Sequence, residues 1–288
     1  MLKGDGDGWV VLADGSRRWG RYGAAGLLLH AVGTTDPGHV LMQYRSGWTH
    51  QGNTWGLPGG ARNSGETSIT AALREFGEEV AGDLGPVDLE GVHRQDLGVW
   101  VFDTVLASTR ERRPFFPGNH ESTIMRWVPV AEVADLPLLP ALGVTWPDLY
   151  HALSQPFVLV VDATNASPPR DAIGTLHDEV AELVRVGVPD DVLPPDLGLA
   201  PLHRRFPTAL FVVDASAPAL EPAPGTQVVR TAGPAGTTVL EVARSHADAA
   251  CTVVVTDDSA LRLHCVAAGT HPVPLSWLHR ASRSDGGR

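Results

Sequence analysis

Apolar runs divide the first half of the chain into short strands around one well-marked helix. Strands are predicted at residues 9–12, 18–19, 24–32, 39–44, 87–93, 99–107 and 125–130. The first two flank an Asp14-Gly15 turn, which is a hairpin signal. Helices are predicted at residues 67–80, 130–135 and 141–153. Strands and helices in this order predict an α/β domain.

The helix predicted at residues 67–80 combines a buried stripe with a cluster of carboxylates. Its apolar residues recur at three- and four-residue steps, at Ile69, Ala72, Leu73, Phe76 and Val80. Glu75 and Glu79 are four residues apart and point the same way, with Glu78 beside them. Like charges at this spacing repel each other, so a divalent cation among them would explain the cluster. A solvated acidic helix face is the alternative explanation.

The loop before this helix suits a close approach to a metal ion or a phosphate. Pro58-Gly59-Gly60 contains two glycines, which lack the Cβ atom that would keep the backbone away from a ligand. Carboxylate oxygens in this number suit Mg²⁺ or Mn²⁺, and Mg²⁺ completes its coordination with water and substrate phosphates. The sequence therefore predicts a site for Mg²⁺ (or Mn²⁺) that acts on a phosphate compound.

The second half of the chain has a different pattern, in which apolar β-branched runs end in acidic residues. Strands are predicted at residues 157–161, 210–213 and 252–255, with helices at residues 172–186 and 239–246 between them. This alternation predicts a mostly parallel, doubly wound sheet. Ligands of such sheets bind beyond the carboxyl ends of the strands, where Asp162, Asp214 and Asp258 stand. Aspartate at a strand end also commonly forms a turn or a helix cap.

Composition and charge narrow the class of protein. The 288 residues are 43% hydrophobic and 19% charged, which is typical of a globular chain long enough for two domains. The net charge of −11 is spread over both halves, and this argues against a nucleic acid partner. No apolar run is long enough to span a bilayer, and the first residues do not resemble a signal peptide. Cys251 and Cys265 are too few for a disulfide framework, so a cytoplasmic location is expected.

The region from Gly60 to Gly82 resembles the Nudix box, Gly-x5-Glu-x7-Arg-Glu-U-x-Glu-Glu-x-Gly-U, where U is aliphatic. The matching positions are Gly60, Glu66, Arg74, Glu75, Glu78 and Glu79. The end of the box departs from the pattern, because Ala81 stands at its glycine and Gly82 follows. We expect Gly82 to serve as the glycine that ends the helix instead. The resemblance covers roughly residues 8–153.

Resemblance to Nudix hydrolases implies an α/β/α sandwich with a mixed sheet, and hydrolysis of a nucleoside diphosphate derivative. It implies that Glu75, Glu78, Glu79 and the Gly60 carbonyl hold the divalent ion. Glu66 and Arg74 would form an ion pair that braces the loop against the helix. The resemblance also implies that Glu78 and Glu79 are catalytic residues. It makes Glu121 a candidate acidic ligand or general base. A surface-loop glutamate is the alternative for Glu121.

The substrate follows only by elimination. The signatures that mark Nudix enzymes for NADH, ADP-ribose and dinucleoside polyphosphates are absent after the box, where Asp96 and Gly98 stand at two of the diagnostic positions. A nucleoside triphosphate, ordinary or oxidised, is left as the favoured nucleotide. Its base could stack on an aromatic side chain, although such residues more often belong to the core. The candidates are Trp48, Trp55, Trp100 and Phe102.

The second half resembles the PIN-like nucleases of the NYN group. It contains Val160-Val161-Asp162-Ala163-Thr164-Asn165 and Val254-Val255-Thr256-Asp257-Asp258, which are similar to the VVDxxN and VVTxD motifs of that group. The implied acidic site would consist of Asp162, Asn165 and Asp258. Residues 233–238 lack the acidic pair expected at that place, so the nuclease activity is expected to be lost or weak.

These patterns predict two domains, a Nudix hydrolase domain at residues 1–154 and a degenerate PIN-like domain at residues 155–288. The favoured function is Mg²⁺-dependent hydrolysis of a phosphoanhydride bond. Two alternatives stay open: a non-catalytic nucleotide sensor, and a bifunctional enzyme whose second domain still cuts RNA. The sequence leaves the oligomeric state open, with a homodimer among the options.

Overall fold

The computed structural model describes residues 4–33, 38–164 and 171–283. The chain forms two compact units, Met1–Ser154 and Gln155–Arg288. Within the described residues, every helix is too short or too polar to span a lipid bilayer.

The strands of the first unit are β1 (Trp9–Val11), β2 (Arg17–Trp19), β3 (Ala24–Ala31), β4 (His39–Arg45), β5 (Trp55–Gly56), β6 (Gly59–Ala61), β7 (Val80–Ala81), β8 (Asp88–Asp96), β9 (Val101–Thr109), β10 (Phe116–Pro117) and β11 (Ser122–Pro129). Its helices are α1 (Ser68–Glu79), a 3-10 helix (Val130–Asp135) and α2 (Pro140–Leu153). The central sheet runs in the order β11-β4-β3-β9-β8 and is mixed, because β3 and β9 are parallel while the other neighbours are antiparallel.

Strand β3 lies in the centre of this sheet, and all eight of its residues are buried. Its apolar run has no polar alternation because both faces of the strand are covered. Helices α1 and α2 lie on opposite faces of the sheet. Asp103 of β9 contacts Ser68 of α1, whereas the next residue, Thr104, pairs across the strands with His93, which lies 3.6 Å from Asp148 of α2. Successive side chains of a strand point to opposite faces.

The buried face of α1 differs from the predicted stripe. The buried residues are Ala71, Ala72, Phe76 and Glu79, while Ile69 and Leu73 are only partly buried. The buried face of α1 is therefore rotated relative to the predicted apolar stripe, and it includes the carboxylate of Glu79. Hydrophobic periodicity does not detect such a position, because it counts only apolar side chains.

The end of α1 also differs from the expectation that Gly82 caps the helix. The chain leaves the helix at Val80 in an extended conformation (φ −119°, ψ 122°), and Val80 and Ala81 pair as β7 with β10. The Gly118 amide donates a hydrogen bond of 2.7 Å to the Glu79 carbonyl. A strand pairing with a distant part of the chain thus ends the helix. The helix therefore does not need a capping glycine at position 81, where this chain has Ala81. Gly82 has its own steric role, because a Cβ atom there would lie 2.6 Å from the Phe115 ring.

The strands of the second unit are β12 (Phe157–Asp162), β13 (Val188–Pro189), β14 (Arg204–Arg205), β15 (Thr208–Val213), β16 (Thr226–Arg230), β17 (Cys251–Val255) and β18 (His271–Val273). Its helices are α3 (Asp171–Val186), a 3-10 helix (Asp190–Val192), α4 (Ala235–Ala247), α5 (Ser259–Ala267) and α6 (Leu275–Arg283). The order β16-β15-β12-β17-β18 forms a parallel sheet. The prediction of a mostly parallel sheet is confirmed.

Two separate cores explain why the strands of this sheet are continuously apolar. Leu159 and Val161 of β12 belong to the core that contains residues of α3 and α6. Val158 and Val160 belong to the opposite core, with residues of α4 and α5. Alternate side chains of one strand therefore enter different helix layers, and a polar residue on either face would be buried.

Candidate functional site

Arg74 of α1 connects the glycine loop to the carboxylate cluster. Its Nε and Nη2 atoms donate to the two oxygens of Glu66 at 2.9 and 3.0 Å. The same guanidinium donates to Glu75 at 2.8 Å and to Glu78 at 3.3 Å through Nη1, and to the Ala61 carbonyl through Nη2. These hydrogen bonds from Arg74 hold the pKa of Glu66 below its ordinary value. The structure thus brings Glu66 and Arg74 into a bidentate ion pair.

Glu79 is the most buried carboxylate of the cluster. Only 5% of the residue is exposed, and its Oε2 atom accepts a 3.0 Å hydrogen bond from the Gly59 amide. Burial raises the pKa of Glu79 to about 8, and the negative charges of Glu121 and Glu75 add to the increase. A carboxylate in this position gains most from a nearby cation.

Gly60 allows Glu75 to lie directly over the loop backbone. A Cβ atom on residue 60 would lie 2.5 Å from Oε2 of Glu75, so any other residue would displace the carboxylate. Burial raises the pKa of Glu75, and the hydrogen bond from Arg74 counters part of this effect. Glu78 is the outermost member of the cluster, with 44% of its side chain exposed.

Glu121 reaches the cluster from another element, the loop before β11. Its amide donates to Oδ1 of Asn119, and its carbonyl accepts from the Ser46 amide, both at 2.8 Å. The negative charge of Glu121 raises the pKa of both Glu75 and Glu79. The structure therefore places Glu121 beside the motif carboxylates, although 42 positions in the sequence separate it from Glu79.

One cavity of about 1150 Å³ contains these groups. Its lining includes the four carboxylates, Gly60, the predicted aromatic residues Trp48, Trp100 and Phe102, and side chains that the sequence patterns did not single out, namely Trp9, Arg17, Arg18, Trp19, Arg45 and His50. Trp55 is absent from this lining, because it packs against Tyr44 and beneath the Arg126 guanidinium. A cavity of this size accommodates a nucleotide.

The donor chemistry of the cluster fits a hard divalent cation. As the side chains stand, no three acidic, histidine or cysteine side chains within the described residues form a ready coordination set. The reason is that Arg74 holds Glu75 and Glu78, and the Gly59 amide holds Glu79. Carboxylate oxygens are nevertheless the ligands that Mg²⁺ and Mn²⁺ prefer. Burial raises the pKa of Glu79, and a nearby cation would favour its ionised form.

Asp103 connects the motif helix to the central sheet, and no sequence pattern predicted this role. The residue is fully buried in β9, and both of its oxygens accept hydrogen bonds from Arg94, at 2.8 and 2.9 Å. It also accepts from the Ser68 hydroxyl at the start of α1 and lies 3.7 Å from Arg62. Burial acts to raise the pKa of Asp103, but the hydrogen bonds from Arg94 and Ser68 outweigh it and lower the pKa. Asp103 therefore fixes the motif helix to the sheet.

The candidate acidic residues of the second unit have structural partners. Asp162 is buried and accepts hydrogen bonds from Thr164 and, at 2.8 Å, from the Thr256 hydroxyl. Asp258 caps α5 by accepting from the amides of Ala260 and Leu261. Asn165, the third candidate, lies outside the described residues.

Comparison with known proteins matches part of this chain to a protein family. The family model for the NUDIX domain matches residues 26–148. A protein of Mycobacterium tuberculosis named "Putative 8-oxo-dGTP diphosphatase 3" is 46% identical over 158 residues, which cover 53% of this chain and 72% of that protein. A "Nucleoside triphosphate pyrophosphatase/Nudix hydrolase fusion protein" of Bifidobacterium longum is 41% identical over 151 residues, 49% of this chain and 30% of that protein.

A solved structure gives a similar match. The crystal structure of RenU, a Nudix hydrolase from M. smegmatis, is 41% identical in sequence and superposes with a TM-score of 0.47. The match covers 50% of this chain and 92% of that one.

Proposed function

This chain belongs to the Nudix hydrolase family and acts on phosphorus-containing anhydrides, and we propose that its substrate is a nucleoside triphosphate cleaved at a site formed by Glu75, Glu78 and Glu79. The observation that carries the proposal is the buried Glu79 beside Glu75 and Glu121 in a nucleotide-sized cavity. The residues 1–154 would form the Nudix hydrolase domain.

Glu75, Glu78, Glu79 and the Gly60 carbonyl would hold Mg²⁺ or Mn²⁺. When bound, the cation would neutralise phosphate charge and lower the pKa of a water molecule. Arg74 neutralises part of the cluster in the protein itself and, through Glu66, keeps the glycine loop against α1. Gly59 orients Glu79 through its amide.

Two further side chains would act on the substrate. Glu121 faces the same cavity from a separate loop, which suits a general base that takes a proton from the attacking water. Arg45 also lines the cavity, and its buried Nε atom has no hydrogen-bond partner among the described residues. Its guanidinium is positively charged and has further N–H donors, which suits a phosphate oxygen of the nucleotide.

An oxidised purine nucleoside triphosphate is the favoured substrate. The M. tuberculosis relative carries the name of an 8-oxo-dGTP diphosphatase. The sequence lacks the signatures for NADH, ADP-ribose and dinucleoside polyphosphates, which leaves nucleoside triphosphates by elimination. Water would attack one phosphorus of the triphosphate chain, and the diphosphatase reaction would release a nucleoside monophosphate and pyrophosphate.

A substrate panel tests this proposal. The full chain would be incubated with 8-oxo-dGTP, dGTP, the other NTPs and dNTPs, ADP-ribose, NADH and Ap4A, each with Mg²⁺, Mn²⁺ or EDTA. We expect the highest kcat/KM for a nucleoside triphosphate, with pyrophosphate as the product and no turnover in EDTA. Faster cleavage of ADP-ribose, NADH or Ap4A would contradict the substrate assignment, and tight binding without any turnover would favour a nucleotide sensor.

For the second unit, residues 155–288, we propose a degenerate PIN-like domain. Its support is the parallel sheet with Asp162 at the carboxyl end of the central strand β12. Asp258 and Asp257 are used as helix caps, since Asp257 accepts from the Leu275 amide at the start of α6. With these oxygens engaged, few carboxylates are left for a metal, so nuclease activity is expected to be absent.

An RNase assay checks this expectation. We expect no Mg²⁺- or Mn²⁺-dependent cleavage of single-stranded RNA that differs between the wild-type chain and Asp162→Asn. Cleavage that is present in the wild-type chain and lost in Asp162→Asn would show a bifunctional enzyme instead. Asp191→Asn, an exposed residue of the same unit, serves as the control variant.

A further inference from the structure

The hairpin β1–β2 presents two tryptophans on one face. Trp9 pairs with Trp19 across the hairpin, and their ring centroids lie 5.2 Å apart in an edge-to-face arrangement. The two residues remain 52% and 40% exposed. Burial of an indole ring from water is energetically favourable. A half-exposed pair that lines a cavity therefore indicates a surface that an apolar, flat ligand covers.

A third ring extends this surface. His50, in the loop between β4 and β5, lies 6.3 Å from Trp9 at an interplanar angle of 79°. Gln51 and Asn53 of the same loop have positive φ angles of 55° and 60°, a conformation that persists only where the surroundings fix it. The Thr49 hydroxyl donates to the Ser46 carbonyl at 2.7 Å, and the Gly52 amide donates to the Thr49 carbonyl at 3.0 Å. His50 therefore belongs to a loop that is closed by its own hydrogen bonds.

The hairpin is fixed to the rest of the first unit. Trp100 donates a 3.2 Å hydrogen bond from Nε1 to the Trp19 carbonyl. Leu12, the residue directly after β1, packs in a buried cluster with Ala24 and Trp100. The Gly20 amide also bonds to the Gly8 carbonyl at 2.8 Å. The positions of the rings are thus set before any ligand arrives, which lowers the entropic cost of binding.

The three rings line the same cavity as the catalytic carboxylates. We infer that Trp9, Trp19 and His50 form the subsite that holds the purine base of the substrate, while its phosphates reach Glu75, Glu78 and Glu79. This inference rests on the proposed function, because it assigns the base of that same nucleotide. The hairpin lies outside the residues matched by the NUDIX family model.

The charges around the rings favour a base over an organic cation. Two positively charged residues of β2, Arg17 and Arg18, also line this cavity. The same N-terminal segment contributes one negative charge to the lining, the carboxylate of Asp7. A box of aromatic rings can hold a quaternary ammonium group, but two guanidinium groups would repel it. A purine is neutral and offers a larger ring face than a pyrimidine, so stacking favours purines.

Binding of three monophosphates to the full chain tests the inference. GMP, CMP and ribose 5-phosphate would be titrated by calorimetry into the wild-type chain and into Trp9→Leu, Trp19→Leu and Trp19→Phe. We expect the Kd of GMP to rise about tenfold in each leucine variant, the Kd of CMP to rise less, and the Kd of ribose 5-phosphate to stay unchanged. Trp19→Phe keeps an aromatic face and should retain most of the GMP affinity. Tyr22→Leu, a comparably exposed aromatic residue next to the hairpin and outside the cavity lining, is the matched control.

Because monophosphates are not hydrolysed, this measurement stands even if the substrate panel shows no turnover. A GMP affinity in both leucine variants within twofold of the wild-type value would overturn the inference. A parallel loss of ribose 5-phosphate affinity would also overturn it, since this result would indicate a general disturbance of the cavity. Leucine preserves the apolar packing of the hairpin, and circular dichroism would verify that each variant is folded.

Discussion

In the variant Glu79→Gln, we expect kcat for nucleotide hydrolysis to fall about 10³-fold while the metal-free protein becomes more stable at alkaline pH. Glutamine keeps the shape of the side chain and can still accept the hydrogen bond from the Gly59 amide. It removes the negative charge that would face the cation and the phosphates. Activity and stability would therefore change in opposite directions, which a merely disruptive substitution does not produce.

The sign of the stability change follows from the pKa of Glu79. In the folded chain this pKa is raised from 4.5 to about 8, so the folded state holds a proton that the unfolded chain releases. Stability from this group is fully present below pH 4.5 and is lost as the pH rises to about 8. The glutamine of the variant cannot ionise, so at pH 8.5 in EDTA the Tm of Glu79→Gln should exceed that of the wild-type chain by about 5 °C.

Thermal unfolding at pH 5 and pH 8.5 and steady-state hydrolysis of the best substrate check both parts. Glu78→Gln is the matched control, because Glu78 is half-exposed and its replacement should change the Tm little. Wild-type turnover in Glu79→Gln would remove the basis of the catalytic assignment. A Tm difference that does not depend on pH would show that Glu79 is not a buried acid of raised pKa.

The variant Asp103→Ala should destabilise the first unit by about 3 kcal/mol. Asp103 is fully buried, and its removal leaves the guanidinium groups of Arg94 and Arg62 without their carboxylate and Ser68 without its acceptor. Breaking a buried pair from one side is costly because the remaining charge stays poorly solvated. The start of α1 would loosen, so hydrolysis should decline as well.

Urea unfolding followed by tryptophan fluorescence measures this effect, because seven of the eight tryptophans belong to the first unit. Asp88→Ala, at the exposed start of β8, should stay within about 0.5 kcal/mol of the wild-type chain. Since the pKa of Asp103 is lowered in the folded state, its contribution should persist at neutral pH and disappear as the pH falls through that lowered pKa. An unfolding midpoint equal to that of Asp88→Ala would contradict the anchoring role.

Much of the fold follows from the sequence because its elements bury apolar residues in regular patterns. The continuous run of β3 and the β-branched run of β12 both predicted buried strands, and both lie at the centres of their sheets. Element ends were less predictable. Strand β11 begins at Ser122, three residues before the predicted start at Met125, because its first residues are largely polar and pair with β4 at the sheet edge.

The site was predictable only where one short segment carries it. The residues Glu75, Glu78 and Glu79 share a single helix, so their spacing alone brings them together. Asp103 and the hairpin tryptophans act across distant parts of the chain, and a lone buried aspartate or an exposed indole has no periodic signal. The burial of Glu79 could not be predicted either, because it depends on the rotation of α1 against the sheet and on the strand pairing after the helix.

That strand pairing has a consequence for how sequence variation in this chain should be understood. The helix ends because β7 meets β10 and because the Gly118 amide reaches the Glu79 carbonyl. A Cβ atom on residue 118 would lie 3.1 Å from that carbonyl oxygen. Residue 118 therefore has little room for a side chain, although it lies far outside the motif. A larger residue at position 118 would press on the backbone of Glu79 in spite of its distance from the motif, whereas Ala81 fits the strand pairing in which it lies.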